Sequence, residues 1–185
     1  MKKLLVGAAV FAAIVGATPA VQAQSSSAIQ YGISGGLTLP IGNIGDTQGT
    51  GFNIQGHATY KPGSNPFAFR GDVGLWTTPG KSITPIGGGT SVKYSGKNWF
   101  TVNANVVYNF EGAKDATFVP YVLGGAGLYS ANGGIGTNFG INAGGGVTFG
   151  LAGFDAFTEA RIHNVMANGG SARLIPISFG ISFKP

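Results

Sequence analysis

Along most of this chain hydrophobic and polar residues alternate one by one, as they do in strands with two unlike faces. The pattern is clearest at the C-terminus. Ile175, Ile177, Phe179, Ile181 and Phe183 share one parity, and Leu174, Pro176, Ser178, Gly180 and Ser182 take the other. The same alternation predicts strands over Ala28–Pro40, Phe52–Tyr60, Phe67–Trp76, Phe100–Phe110, Phe139–Phe149 and Asp155–His163. Thr117–Tyr129 is apolar on both parities, so it reads as a strand whose faces cannot be assigned. Counting Arg173–Phe183, the total is eight. The connections 41–50, 78–97, 130–137 and 164–172 alternate along the chain with the short polar turns 61–66, 111–116 and 151–153.

An edge strand as apolar as the last one would invite aggregation in water, so it needs a partner on each side and an apolar surrounding. An even number of antiparallel strands, with long loops on one side and tight turns on the other, predicts an all-β, eight-stranded, up-and-down transmembrane barrel. Aromatic spacing agrees. Phe100 and Phe110, like Phe139 and Phe149, lie ten residues apart on one face. At about 3.3 Å per residue and a tilt of about 40°, that interval rises about 25 Å, the height of a barrel's apolar band. Tyr31, Tyr60, Phe67, Phe110, Phe118, Phe149 and Phe183 are expected in a girdle at the turn end, with Phe52, Phe100 and Phe139 at the loop end. The alternative, a soluble sandwich with an aromatic core, would carry a more charged outer surface.

The first residues call for a separate account. Lys2 and Lys3, the apolar run Leu4–Ala17 and the small residues Ala20-Val21-Gln22-Ala23 read as a secretory signal peptide over residues 1–23, leaving a single barrel domain over 24–185. No mature stretch reaches the apolar length of a spanning helix. Membrane residence would therefore be by strands. Hydrophobic residues make up 43% and charged ones 9% of the chain, a balance unlike that of a disordered segment. With no cysteine there is no disulfide framework or thiolate site. The formal charge of +5 falls to +3 when Lys2 and Lys3 are left out, and no basic run is interleaved with aromatics, which argues against nucleic acid.

Four stretches carry a family resemblance: Phe118-Val119-Pro120-Tyr121-Val122-Leu123-Gly124-Gly125-Ala126-Gly127, Gly140–Val147, Glu159-Ala160-Arg161 and Pro176–Phe183. They resemble the small eight-stranded outer-membrane β-barrels of the OmpA-like and OmpX-like, porin-related group. The resemblance spans nearly the whole mature chain and implies a monomeric barrel in a bacterial outer membrane. Its implied partners are membrane lipids, lipopolysaccharide and, during insertion, the barrel-assembly machinery. It also implies a non-enzymatic role, structural or in surface interaction through loops. Members usually end on an aromatic residue, whereas here Lys184 and Pro185 follow Phe183.

Charged residues on the inward parity are Arg70, Asp72, Glu159 and Arg161, with His57 and His163 near them. A charge left alone in a dry interior costs several kcal/mol, so these are expected to pair into a network that plugs the lumen. The competing reading is a polar path for ions or small solutes, although eight strands leave an interior that side chains fill. A lipid A-modifying enzyme would need a serine activated by a histidine and an acid. Glu159 and His163 lie four apart, but no serine stands close after His163, and Ser171 lies across the connection. Two histidines without a dense carboxylate set make a poor metal site, and no cofactor is expected. The triplets Gly87–Gly89 and Gly144–Gly146 lack the lysine, hydroxyl and helix of a phosphate loop. On the loop side, Lys81, Lys93, Lys97 and Arg173 face Asp46 and are candidates for lipopolysaccharide phosphates.

Overall fold

The computed structural model describes residues 29–110, 118–133, 136–167 and 170–183. The expectations for residues 1–23, 111–116 and 184–185 lie outside that range. The described residues form ten strands: β1 (Ile29–Ile41), β2 (Gly51–Tyr60), β3 (Phe67–Thr78), β4 (Ser82–Ile83), β5 (Val92–Lys93), β6 (Lys97–Asn109), β7 (Phe118–Ala131), β8 (Gly136–Leu151), β9 (Phe154–Ala167) and β10 (Gly170–Phe183). A short helix, α1 (Asn43–Thr47), lies between β1 and β2. Eight strands close a barrel in the order β1-β10-β9-β8-β7-β6-β3-β2, and β4 and β5 form a separate hairpin. All neighbours are antiparallel, and β10 closes the wall against β1 through Tyr31↔Phe183 to Ile41↔Arg173. No edge of the main sheet is left open. Among the described residues no helix is long and apolar enough to cross a membrane.

Side-chain parity decides the two faces. Along β10, Phe179 is 68% exposed while Ser178 and Ser182 are buried, and along β3 Phe69 and Leu75 point out while Arg70, Asp72 and Trp76 point in. The undecided strand, β7, turns Tyr121, Leu123 and Tyr129 inward and Val122 and Leu128 outward. Pattern alone could not assign it because part of this lumen is itself apolar. Most outer aromatics lie at the ends, with Phe179 at mid-wall. Tyr31 pairs with Phe183, Phe67 with Tyr108 and Phe118 with Phe149 near the turn end, whereas Phe52 and Phe139 stand exposed near the loop end.

The connections differ from expectation. Half of the 130–137 segment and most of the 164–172 segment are strand, because the ladders run on to Ala131↔Gly136 and to Gly170↔Ala167. Long and short connections therefore do not sort cleanly by side: at the loop end only four residues separate β7 from β8 and two separate β9 from β10. The long 78–97 connection contains the β4–β5 hairpin, whose tip carries Gly87, Gly88 and Gly89 at φ of 105°, 89° and 132°. Those angles favour glycine. The two long connections are joined by backbone hydrogen bonds, Gly49 N–H to Pro79 O at 2.7 Å and Lys81 N–H to Thr47 O at 2.9 Å.

Inward glycines make room for large side chains. A Cβ on Gly144 would stand 2.2 Å from Ala160 O and 2.7 Å from the Arg161 side chain, and one on Gly146 would meet the Tyr121 ring and hydroxyl. Gly140 bears the Tyr129 ring, Gly180 the Phe157 ring and Gly32 the His57 ring in the same way. The glycines and bulky residues thus interlock to fill the lumen, as a narrow barrel requires.

Candidate functional site

β3 and β9 stand opposite one another in the barrel order, four strands apart either way round. Each brings two inward charges two residues apart, Arg70 and Asp72 from β3 and Glu159 and Arg161 from β9. Across the lumen they form a closed square in which each guanidinium touches both carboxylates. Arg70 Nη1 is 2.8 Å from Glu159 Oε2 and its Nε is 3.0 Å from Asp72 Oδ1. Arg161 Nε lies 2.7 Å from Glu159 Oε1 and its Nη2 3.2 Å from Asp72 Oδ1. All four side chains are buried, and two cations against two anions leave no net charge. Pairing of this quality offsets the desolvation of the ions, which would otherwise cost several kcal/mol each.

Neutral residues absent from the sequence expectation complete the square. Asn105 donates its amide to Asp72 Oδ2 at 2.5 Å, and the Tyr121 hydroxyl donates to Glu159 Oε2 at 2.8 Å. Gln55 accepts from Arg161 Nη2 at 3.1 Å and donates to Ser178 Oγ at 3.2 Å, which passes the network on to Asn53 and Thr38. Parity alone marked Gln55, Asn105 and Ser178 as inward, but no spacing rule shows that they reach these partners.

The two histidines sit on other levels. His57 makes an edge-on contact with Phe157, ring centroids 5.2 Å apart, towards the turn end. His163 is fully buried towards the loop end, its Nδ1 2.7 Å from the Tyr129 hydroxyl and its ring edge-on to Trp76 at 4.7 Å. The expected six-residue network is therefore a four-residue square with a histidine to either side. Ser171 pairs with Met166 on the opposite parity from the inward Leu174, so it lies on the outer face while His163 points inward. No serine–histidine pair forms from them. Among the described residues no group of three or more potential ligands could hold a metal ion.

A second barrier closes the loop end. Trp76, Trp99, Tyr129, Ala131, Val165 and Leu174 form a buried cluster, with Ile44 of α1 and Ala172 packed against it. Trp76 and Trp99 are cross-strand partners, each 1% exposed. Trp99 donates through Nε1 to Thr78 Oγ1, which donates to the buried Gln48 of the first long connection. A third layer, of Ala68, Val107, Tyr121 and Leu123, lies towards the turn end. The lumen is thus filled in three storeys: apolar, ionic and aromatic.

The four loop-side cations do not converge. The Lys81 ammonium donates to Gly45 O at 2.5 Å, Lys97 folds against Gly133, Lys93 lies on the β4–β5 hairpin and Arg173 stands on the outer wall beside Ile41 and Asn164.

No family model matches this sequence, and no curated protein matches it. Solved structures do match. The Neisserial surface protein A is similar over 85% of this chain and 97% of its own, with a TM-score of 0.61 at 17% identity. The outer membrane protein OprG of Pseudomonas aeruginosa is similar over 89% of this chain and all of its own, with a TM-score of 0.59 at 12% identity. A major outer membrane protein of Thermus thermophilus is similar over 87% of this chain, with a TM-score of 0.54 at 11% identity. With a closed antiparallel ring of eight strands, an apolar outer wall and these likenesses, the chain has the fold of the small eight-stranded outer-membrane β-barrels.

Proposed function

We propose that this chain is exported by its first 23 residues and resides in a bacterial outer membrane as a monomeric, non-enzymatic barrel that does not conduct. Its role is to brace the membrane and to present the loop-end hairpin and α1 to the outside. The observation that supports this reading is the filled lumen, in which the ion square and the Trp76–Trp99 layer lie one above the other. Eight strands enclose too little space for an aqueous channel once side chains of this size turn inward. The outward Ile, Leu and Phe residues suit lipid rather than water.

Planar-bilayer recording on the refolded protein tests this directly. A silent trace from protein that shows heat-modifiable gel mobility is the expected result. Discrete single-channel steps would overturn the sealed-lumen reading, and recovery in the soluble periplasmic fraction would overturn the location.

A further inference from the structure

The outer wall carries shallow, open hollows over β10, β1 and β2. Two adjoining hollows of about 390 and 350 Å3 share Phe179 and Asn53. The first lies between Ile33, Ile54 and Ile181 over Gly35, and the second between Leu37, Phe52 and Ile177 over Gly36. Their origin is in the register. Gly35 pairs with Phe179 on one side and Ile54 on the other, so a residue without a side chain lies between two large ones. Gly71, also outward, pairs with Ala58 and Ala104 and leaves the wall flat. A polar spot interrupts the same wall nearer the loop end. Arg173, exposed on β10, pairs with Ile41 and with Asn164, which shares its outward parity.

From Arg173 to Ile177 and Phe179 along one face of β10 is four and six residues, about 13 and 20 Å of strand. Tilted by about 40°, that path covers about 10 to 15 Å of depth, the reach of one leaflet of a hydrocarbon core about 30 Å thick. A cation with an amide beside it at the headgroup end, and apolar hollows below it, match an amphiphile with an anionic head and a fatty tail. Because the loop end faces outward in the reading proposed above, on which this inference rests, the leaflet concerned is the outer one. We propose that this wall is a binding site for lipid A, with a phosphate held by Arg173 and Asn164 and one acyl chain lying in the hollows over Gly35 and Gly36. A planar, five-donor guanidinium suits phosphate better than an ammonium does. Lys81 donates to Gly45 O and Lys97 lies against Gly133, and neither takes part.

The test uses the full barrel in phosphatidylcholine nanodiscs titrated with bis-phosphorylated lipid A. Arg173→Gln removes the headgroup contact. Gly35→Leu fills the hollow, and the fold should accept it because its Cβ meets only Asn53 O at 3.4 Å. Each substitution should weaken binding about tenfold, the size of one lost charge-assisted contact or blocked chain, whereas Lys93→Gln should leave it unchanged. Wild-type affinity in both Arg173→Gln and Gly35→Leu overturns the site. Equal binding of dephosphorylated lipid A removes the role of Arg173, and equal binding of phosphatidylglycerol overturns the choice of lipid A. Heat-modifiable mobility of each variant separates a lost site from a lost barrel, and a failure of outer-membrane residence would show in fractionation of the wild type.

Discussion

The inner and outer walls of this barrel are made by the same strands, yet a given residue type means opposite things on them. Gly144 faces in, where a Cβ would strike Ala160 O and Arg161, and Gly71 faces out, with nothing within 4 Å of its added Cβ. Arg161 faces in and touches two carboxylates and an amide, while Arg173 faces out at the loop end. The lesson is that glycine and charge in such a barrel are read by parity and by what stands across the lumen. Inside, each group is one part of a packed solid. Outside, in the membrane proposed above, each would meet a solvent that accepts apolar bulk and rejects charge below the headgroups.

The largest expected effect is on the inner wall. Glu159→Ala leaves Arg70 and Arg161 sharing Asp72 alone, and the uncompensated buried charge should cost about 3 to 5 kcal/mol. Urea titration of the barrel in vesicles measures this, and a loss below 1 kcal/mol would mean that water reaches the square. On the outer wall the strongest effect comes from charge. Phe179→Lys should cost about 2 to 4 kcal/mol if the site lies near the midplane, while the neighbouring inward Ser178→Ala should cost about 1 kcal/mol through its lost hydrogen bonds. Equal losses at both would contradict the facing of β10. The sharpest form of the comparison is the glycine pair. Gly144→Val should destabilise by at least the 1 to 3 kcal/mol typical of overpacking, and Gly71→Val should stay within about 0.5 kcal/mol. Similar values at the two positions would show that the lumen is loosely filled.

Much of this was legible in the amino-acid order. Period-two alternation marks seven of the eight barrel strands and their faces, because a strand between lipid and a packed interior must change character at every residue. It also places Arg70, Asp72, Glu159 and Arg161 on the inner face, where isolated charges cannot remain unpaired. The eighth, β7, stayed ambiguous because Tyr121 and Leu123 turn inward and Val122 outward, and burial in protein or in lipid favours the same apolar residues.

What only the tertiary structure decided is pairing across the ring. Strands β3 and β9 are far apart in sequence and meet only because closure sets them opposite each other, so local pattern shows neither the square nor its completion by Asn105, Tyr121 and Gln55. The Trp76–Trp99 lid, the separation of the two histidines and the hollow over Gly35 have the same origin in strand order and register. The sequence by itself determined which way each strand faces, because that depends on one residue and its nearest neighbours. Closure of the ring determined what each inward or outward side chain meets, because those partners come from elsewhere in the chain.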